Sequence, residues 1–271
     1  MRIQNNISAL NALNNTVKNE GKLTKNIKKL SSGYRINSAA DDAAGLAISE
    51  KMRSQIRGLA KSVQNANDGI SATETAEGSL QEVTNILQRM RELAVQSANS
   101  GTYKGKEIAN LNSEFTALKE EITRISSAAK YNGTTISGTT FSFMVDPNGV
   151  AANAVKLKVE AFTLGKLGLA DSALTVTAGN ATTVIDQLDT ALEAVTTSRA
   201  AIGAVTNRLD YTVNNLTTMR ENLTQAESRI RDVDMSEEYV DMTKNSVLNQ
   251  ASVAMLAQAN STTQNVLSLI Q

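Results

Sequence analysis

The residue types that most often carry out chemistry in proteins are scarce in this sequence. It has no histidine and no cysteine, so imidazole catalysis, thiolate nucleophiles, disulfides and zinc–thiolate sites are excluded. The remaining candidates for acid–base or metal chemistry are three acidic pairs, Asp41-Asp42, Glu120-Glu121 and Glu237-Glu238. Adjacent residues of a helix point in different directions, so none of these pairs forms a convergent site. We interpret them as helix caps and solvated surface, and we expect no enzymatic activity, no metal and no cofactor.

The glycines form no phosphate-binding pattern. Gly58, Gly69 and Gly78 lie inside segments with helical periodicity. Glycine lacks a Cβ atom, so within a helix it permits the close approach of a neighbouring segment. These glycines therefore indicate packing rather than ligand binding.

Charge and hydropathy exclude several other functions. The 27 basic and 27 acidic residues cancel, so we expect no nucleic-acid partner and no membrane partner. No apolar run approaches the roughly 18 residues of a membrane span, and residues 1–6 lack the apolar core of a signal peptide. Only 3% of the residues are aromatic, which is little for the core and pocket of a globular enzyme. The composition favours long helices that pack along narrow seams.

Apolar residues spaced by seven predict two long central helices. One seam runs through Met52, Leu59, Ala66, Thr73, Leu80 and Leu87, and the other through Leu188, Val195, Ile202, Leu209, Leu216, Leu223 and Ile230. Seams of this length are typical of coiled coils, and we expect the two helices to pair antiparallel. A shorter helix is predicted from Ile108 to Ala129.

Between the central helices the hydrophobic period changes to two. Alternation is clearest in two runs, residues 141–145 and 155–161, which are separated by a turn signal around Pro147. A small β-hairpin is therefore predicted within residues 138–178. The stretch 172–183, rich in Thr, Ala and Gly, is predicted to be a surface loop or a weak strand.

Both ends of the chain are predicted to be thin helices that need partners. Their apolar stripes are narrow, so they should be marginal alone in water and should fold when neighbours supply contacts. We therefore expect assembly into an open, head-to-tail array of identical chains. The residues expected to make these contacts are Ile3, Ile7, Leu10, Leu13, Val17, Ile27, Val247, Ala251, Ala254, Leu269 and Ile270.

Two segments, residues 30–48 and 231–236, interrupt the helical pattern and are predicted to be joints. The first begins with Ser and Gly, which end helices. Both contain Asn or Asp, whose side chains accept hydrogen bonds from the free amides of a starting helix. The residues assigned to the joints are Gly33, Arg35, Asn37, Asp41, Asp42, Asp232 and Asp234.

The order of the segments predicts that the two terminal helices lie side by side. If the central helices pair antiparallel, both chain ends leave that bundle at the same end. The first terminal helix is basic toward its C-terminal end and the last is acidic at its start, so antiparallel packing brings opposite charges together. The predicted fold class is mainly α: long antiparallel coiled-coil helices with a small β-hairpin, and terminal helices paired into a second helical layer.

Three stretches of the sequence match one protein family closely. They are LSSGYRINS at 30–38 with DDAAGLAI at 41–48, QNANDGI at 64–70, and LQRMRELAVQSAN at 87–99. Together with YNG at 131–133 and VLSLI at 266–270, they make the chain resemble a bacterial flagellin. The resemblance covers residues 1–138 and 184–271, and the short remainder indicates a form with only the two core domains. Hook–filament junction proteins share the terminal helices less closely.

The resemblance implies a structural subunit of the flagellar filament, which serves motility. Residues 1–43 and 230–271 would form an inner-tube domain and a spoke made by the two joints, and residues 44–229 an outer-tube domain that carries the hairpin. It also implies export as an unfolded chain through the flagellar type III apparatus, and a place in the extracellular filament. The implied partners are other copies of the chain, a flagellar export chaperone, and the hook–filament junction and cap proteins.

The resemblance further implies recognition by the host Toll-like receptor that senses flagellin. In members that activate this receptor, an Arg and a Leu of the long helix and a Glu of the next helix face it. In this sequence these residues are Arg89, Leu93 and Glu114, with Gln88 and Gln96 nearby. Arg89 and Gln96 lie two helical turns apart, on one face of the helix. Packing against the next subunit is the primary role expected of that face.

A second class of function remains open from the sequence. An interaction protein, such as a junction protein or a secreted adhesin, would use the same terminal helices for binding. The formation of long helical filaments distinguishes the first class from the second.

Overall fold

The computed structural model describes residues 6–99, 105–170, 176–177 and 179–268. The described part of the chain is mainly helical, which confirms the predicted mainly α class. The α-helices in the described part are α1 (Ile7–Ser32), α2 (Ala43–Ala98), α3 (Lys106–Ala128), α4 (Ala181–Arg231) and α5 (Met235–Ser268). The strands are β1 (Lys130–Tyr131), β2 (Thr134–Thr135), β3 (Thr140–Phe143) and β4 (Val155–Lys158), with a 3-10 turn at Ala151–Asn153.

The chain divides into two compact units. The terminal unit comprises Met1–Ser54 and Glu221–Gln271, and the central unit comprises Gln55–Arg220. The helices α2 and α4 belong partly to each unit, because each is a continuous helix that crosses the boundary.

In the central unit α2 and α4 pair antiparallel, as their seams predict. Ion pairs join Arg91 Nε to Asp189 Oδ1 at 2.7 Å and Arg199 Nη2 to Glu77 Oε1 at 2.7 Å, so residue numbers fall on one helix as they rise on the other. The predicted seam residues Leu80, Leu87, Leu188 and Val195 are all at most 1% exposed. Burial of these side chains supplies the main driving force for the pairing.

The predicted hairpin is present as β3 and β4. The strands pair antiparallel, with Phe141 opposite Leu157 and Phe143 opposite Val155. Val155 and Leu157 are buried, whereas Lys156 and Lys158 are exposed, as the period of two requires. The strands are shorter than the stretch 138–178 in which the hairpin was predicted.

A second hairpin, β1–β2, was not predicted. Asn132 and Gly133 both have positive φ angles, of 46° and 80°, which is the backbone of a type I′ turn. Asn-Gly is a strong sequence signal for this turn.

The prediction of a loop or weak strand over residues 172–183 was wrong at its C-terminal end. α4 begins at Ala181, and Ala181 and Val184 are each 1% exposed. Burial of its first turn against the core extends the helix beyond the point that composition indicated. Residues 171–175 and 178 lie outside the described part.

The prediction that glycines of α2 permit the close approach of a neighbour is confirmed at Gly58 and wrong at Gly78, so the two positions provide a matched test of glycine packing. A β-carbon at Gly58 would lie 3.0 Å from Pro147 Cβ and 3.1 Å from its carbonyl oxygen, whereas one at Gly78 meets no atom within 4 Å. Alanine in an open helical position gains about 0.5–1 kcal/mol over glycine. We expect Gly78→Ala to raise the free energy of unfolding by about that amount, and Gly58→Ala to lower it by about 1 kcal/mol through overpacking. Urea denaturation of the unassembled protein measures both, and equal stabilisation by the two substitutions would contradict the close approach.

In the terminal unit α1 and α5 pair antiparallel, as predicted. Asn6 Nδ2 donates to the Ala259 carbonyl at 2.9 Å, and Asn19 Nδ2 donates to Ser252 Oγ at 3.0 Å. At the other end Lys29 Nζ lies 3.3 Å from Glu238 Oε2. The basic end of α1 thus meets the acidic start of α5.

Candidate assembly surface, joint and receptor face

The two terminal helices contact each other mainly through small and polar side chains. On α1 the residues that are buried or half-buried recur every three or four positions, as they do on α5. The seam of α1 consists of Ala9, Ala12, Thr16, Asn19, Leu23 and Asn26, and the seam of α5 of Glu238, Met242, Asn245, Asn249, Ser252, Leu256 and Ala259. Burial of such side chains yields little hydrophobic free energy, so the pairing within one chain is weak.

Most of the large apolar residues of α1 and α5 lie outside this seam. Six residues predicted to make contacts between subunits are between 45% and 60% exposed: Ile7, Leu10, Leu13, Val17, Ile27 and Val247. Ala251 and Ala254 are also exposed. The predicted residues Ile3, Leu269 and Ile270 lie outside the described part. An exposed apolar surface of this extent is characteristic of an interaction site, and we call these eight described residues the assembly surface.

Further exposed apolar residues of α5 were not included in the sequence-based set. Val240, Leu248, Val253 and Met255 are at least 43% exposed. The sequence did contain a signal for these residues, because they are apolar and lie between the positions of the seam. The seam itself went unrecognised, since its Asn, Ser and Ala residues do not form an apolar stripe.

Gly33 ends α1 and begins the joint. Its φ of 72° is left-handed, and its N–H donates to the Lys29 carbonyl at 2.8 Å, which is the capping geometry that favours glycine. Its carbonyl accepts a hydrogen bond from Val233 N at 3.1 Å. The first joint is thereby tied to the second.

The two joints run side by side as a short antiparallel bridge. Tyr34 pairs with Asp232, and Arg35 N donates to the Arg231 carbonyl at 2.7 Å. The Arg35 side chain donates through Nη2 to the Ile230 carbonyl at 2.7 Å. Asp232 therefore takes part through its backbone, whereas Arg35 contributes both backbone and side chain.

The remaining predicted joint residues organise the turns on either side. Asp41 Oδ2 accepts hydrogen bonds from Ser38 Oγ and Ser38 N, each at 2.9 Å, and from Asn37 N at 3.2 Å. These hydrogen bonds hold the pKa of the Asp41 carboxyl below its usual value, and the bond from the Ser38 hydroxyl contributes most. Asn37 Nδ2 donates to the Tyr34 carbonyl at 2.9 Å. The carboxylate of Asp41 thus stabilises the turn that leads into α2.

Asp42 and Asp234 cap the helices that leave the joints. Asp42 Oδ1 accepts from Gly45 N at 2.9 Å near the start of α2. Asp234 Oδ1 accepts from Ser236 N at 2.8 Å and from Glu237 N at 3.2 Å at the start of α5. Each carboxylate satisfies amides that a helix leaves free at its N-terminus, and its charge suits the helix dipole there.

Three residues of the joint region were missed in the sequence analysis. The guanidinium of Arg231 lies over the ring of Tyr34, 4.8 Å from its centroid, and Arg231 Nη1 lies 2.5 Å from Glu50 Oε1. These residues are far apart in the sequence and share no motif. No pattern in the sequence links them, so only the fold reveals the contact.

The predicted receptor residues are placed on α2 and α3 of the central unit. Arg89 Nη2 lies 2.8 Å from Glu114 Oε1, and its Nη1 lies 3.1 Å from Glu92 Oε2. The Glu114 hydrogen bond is the main reason that the pKa of Arg89 is raised. Gln88 is exposed and Gln96 is half-buried. The structure therefore brings Arg89 and Glu114 together on the surface.

Leu93 occupies a different environment from its predicted companions. It is 1% exposed and belongs to the main hydrophobic core, together with Met90 and Phe115. A side chain so deeply buried cannot face a second protein while the helices remain packed. The expectation that Leu93 faces a receptor is corrected to a core position beneath that surface.

The described part of the chain contains no evident site for a metal ion. No group of three or more side chains of the metal-binding types lies close enough together there. None of its helices is long and apolar enough to cross a membrane.

Comparison with known proteins identifies the family. A model of the bacterial flagellin N-terminal helical region matches residues 3–139, and a model of the flagellin C-terminal helical region matches residues 185–270. These segments contain α1 to α3, the assembly surface and both joints. The chain belongs to the bacterial flagellin family. It is accordingly a structural subunit of the extracellular flagellar filament.

Full-length flagellins from other bacteria are similar to this flagellin over its whole length. It is 47% identical to a flagellin of Halalkalibacterium halodurans and 44% identical to one of Bacillus subtilis, and each alignment covers 100% of both chains. The flagellar filament 33 kDa core protein of Treponema phagedenis is 44% identical, also over 100% of both chains. A crystal structure of Bacillus cereus flagellin matches 60% of this chain and 94% of its own chain, with 30% identity and a TM-score of 0.49.

Proposed function

We propose that this flagellin polymerises through the assembly surface of α1 and α5, which neighbouring copies cover in the filament. One observation carries the proposal: most of the large apolar side chains of both helices are exposed, while mainly small and polar residues form the contact within the chain. Exposed apolar area favours association by about 25 cal/mol for each Å² buried. A second copy of the chain supplies such a surface, because it carries the same residues.

The proposal assigns roles to the segments of the chain. Residues 1–43 and 230–271 contribute the inner tube and the spoke, and residues 44–229 contribute the outer tube. Support comes from the bridge between the joints, which holds the two connecting segments side by side. The remaining partners are a chaperone that holds α5 before export through the type III apparatus, and the junction and cap proteins at the filament ends.

Leu13→Ser tests the assembly surface directly. Leu13 is 45% exposed, so the substitution should change the stability of the unassembled subunit by no more than about 0.5 kcal/mol. Burying a leucine contributes roughly 1.5–3 kcal/mol, so the critical concentration for polymerisation should rise about ten- to a hundredfold. Sedimentation of seeded protein measures that concentration. Asn14→Ser, at an exposed polar position next to it, is the matched control, and equal behaviour of the two variants would contradict the proposal.

We also propose that the Toll-like receptor recognises the surface formed by Gln88, Arg89, Gln96 and Glu114. The ion pair between Arg89 and Glu114 supports this, because it fixes two half-exposed charged groups across α2 and α3. Leu93 contributes by holding α2 in place from within the core. In the filament the same face packs against the next subunit, so recognition would require released subunits.

Arg89→Ala should reduce receptor activation by unassembled protein about tenfold or more, because arginine at the centre of an interface is often a hot spot. A reporter assay in cells that express the receptor measures the response. Arg124→Ala is the control, since Arg124 also forms an exposed ion pair, with Glu121 on α3. A similar loss in both variants would show that the effect is not specific to the proposed surface.

A further inference from the structure

The side chain of Arg231 lies where three segments of the terminal unit meet. It stands at the C-terminus of α4, its guanidinium covers the ring of Tyr34 in the first joint, and its Nη1 reaches Glu50 on α2. Its own carbonyl accepts the hydrogen bond from Arg35 N. One residue therefore contacts the first joint, the second joint and the start of α2.

The surroundings of Arg231 favour a guanidinium over an ammonium group. Its side chain is 12% exposed, whereas that of Glu50 is 48% exposed. Its Nε is buried and has no hydrogen-bond partner in the described part of the chain. An unpaired buried donor is costly and needs a compensating gain. The cation–π contact with Tyr34 supplies that gain, and a lysine, which lacks the broad guanidinium group, makes such a contact less well.

We propose that Arg231 is the positioning residue of the joint, which holds the two connecting segments in a single register. Stacking on Tyr34 fixes the first joint against the second, and the contact with Glu50 fixes both against α2. The backbone bonds Arg35 N to Arg231 O and Val233 N to Gly33 O then form together. A joint that has lost Arg231 keeps its helices but samples several registers.

The consequence for the filament rests on the proposed function. Every subunit of a helical polymer repeats the same geometry, so a small change at each joint accumulates along the filament. Variants that loosen the joint should therefore alter filament shape or critical concentration. The Leu13→Ser variant tests separately whether the assembly surface drives polymerisation. A failure of the proposed function can therefore be told apart from a failure of the inference about Arg231.

Amide hydrogen exchange of the full-length, unassembled protein tests the proposal. The amides of Arg35 and Val233 report on the joint, because both donate across it and remain in an Arg231 variant. We expect Arg231→Gln to speed their exchange at least tenfold, while amides of Leu80 and Leu188 in the central core keep their rates. The exchange rates in Arg231→Lys should fall between those of wild type and Arg231→Gln, because lysine retains the charge but not the guanidinium group that covers the ring.

Substitutions of Tyr34 and Glu50 complete the test. In Tyr34→Phe the amides of Arg35 and Val233 should exchange at the wild-type rate, since the ring is kept. In Tyr34→Leu their exchange should speed up, but by less than in Arg231→Gln, which removes the Glu50 contact as well. The double variant Tyr34→Leu, Arg231→Gln should show no further increase, because both changes remove one interaction. Glu50→Gln should speed the exchange of the Arg35 and Val233 amides less than Arg231→Gln does, since Glu50 is half-exposed and solvent screens its charge. Wild-type exchange in Arg231→Gln, or additive effects in the double variant, would overturn the proposal.

Discussion

Deletion of residues 240–271 is expected to abolish filament growth and to leave the central unit folded. In the described part of the chain, the main hydrophobic core lies between Ala72 and Ile202, so the deletion removes none of its residues. It does remove most of α5, including Val247, Ala251 and Ala254 of the assembly surface. It also removes most of the seam against which α1 packs. Because α1 then lacks its partner, neither terminal helix can contribute to assembly.

Electron microscopy after seeding with filament fragments measures the outcome of this deletion. The full-length chain treated in the same way is the control, and urea denaturation shows whether the central unit still unfolds cooperatively. Circular dichroism of the full-length chain should show a rise in helix content on assembly, because isolated thin helices are marginal in water. Normal filaments from the truncated chain would show that the terminal helices are not required.

Leu93→Ala is expected to lower the free energy of unfolding by about 2–5 kcal/mol, because it leaves a cavity in a closely packed core. Leu93 is 1% exposed and belongs to the same core cluster as Phe115 and Ile122. Val95→Ala, two residues along the same helix, is the control. Val95 is 51% exposed, so its truncation should cost no more than about 0.5 kcal/mol.

Urea denaturation of the unassembled variants distinguishes a core role for Leu93 from a surface role. If Leu93 were a surface contact, both alanine variants would have similar stability. Measurements of stability also distinguish two causes of a loss of receptor activation. Arg89→Ala should reduce activation without loss of stability, whereas Leu93→Ala should reduce it in proportion to the fraction of unfolded protein.

The sequence predicted the helices and their pairing because both depend on local periodicity. A repeat of seven specifies which residues share a helical face, and Leu80, Leu87, Leu188 and Val195 are buried as that repeat predicts. The antiparallel pairing of α1 with α5 followed from chain order and from complementary charges, and the contact of Lys29 with Glu238 bears it out. The hairpin β3–β4 followed from its period of two.

The periodicity of the sequence could not predict that Leu93 is buried in the core. A repeat shows that residues share a face, but it does not show which neighbour covers that face. Leu93 and Leu13 are both apolar residues on helical stripes, yet Leu93 is buried by the packed helices of the central unit and Leu13 is exposed. The difference arises because α5 contacts α1 mainly through small and polar side chains, and this contact leaves most of the larger apolar residues of α1 exposed.

The amino-acid sequence alone determined the helical segments, the two joints with their capping aspartates, and the resemblance to flagellins, since all of these reside in local patterns. Only the tertiary structure decided which apolar residues form the core and which remain for other copies. It also decided that Tyr34, Glu50 and Arg231 meet at the joint. Contacts between residues so distant in the chain depend on how whole helices pack, and no local pattern encodes them.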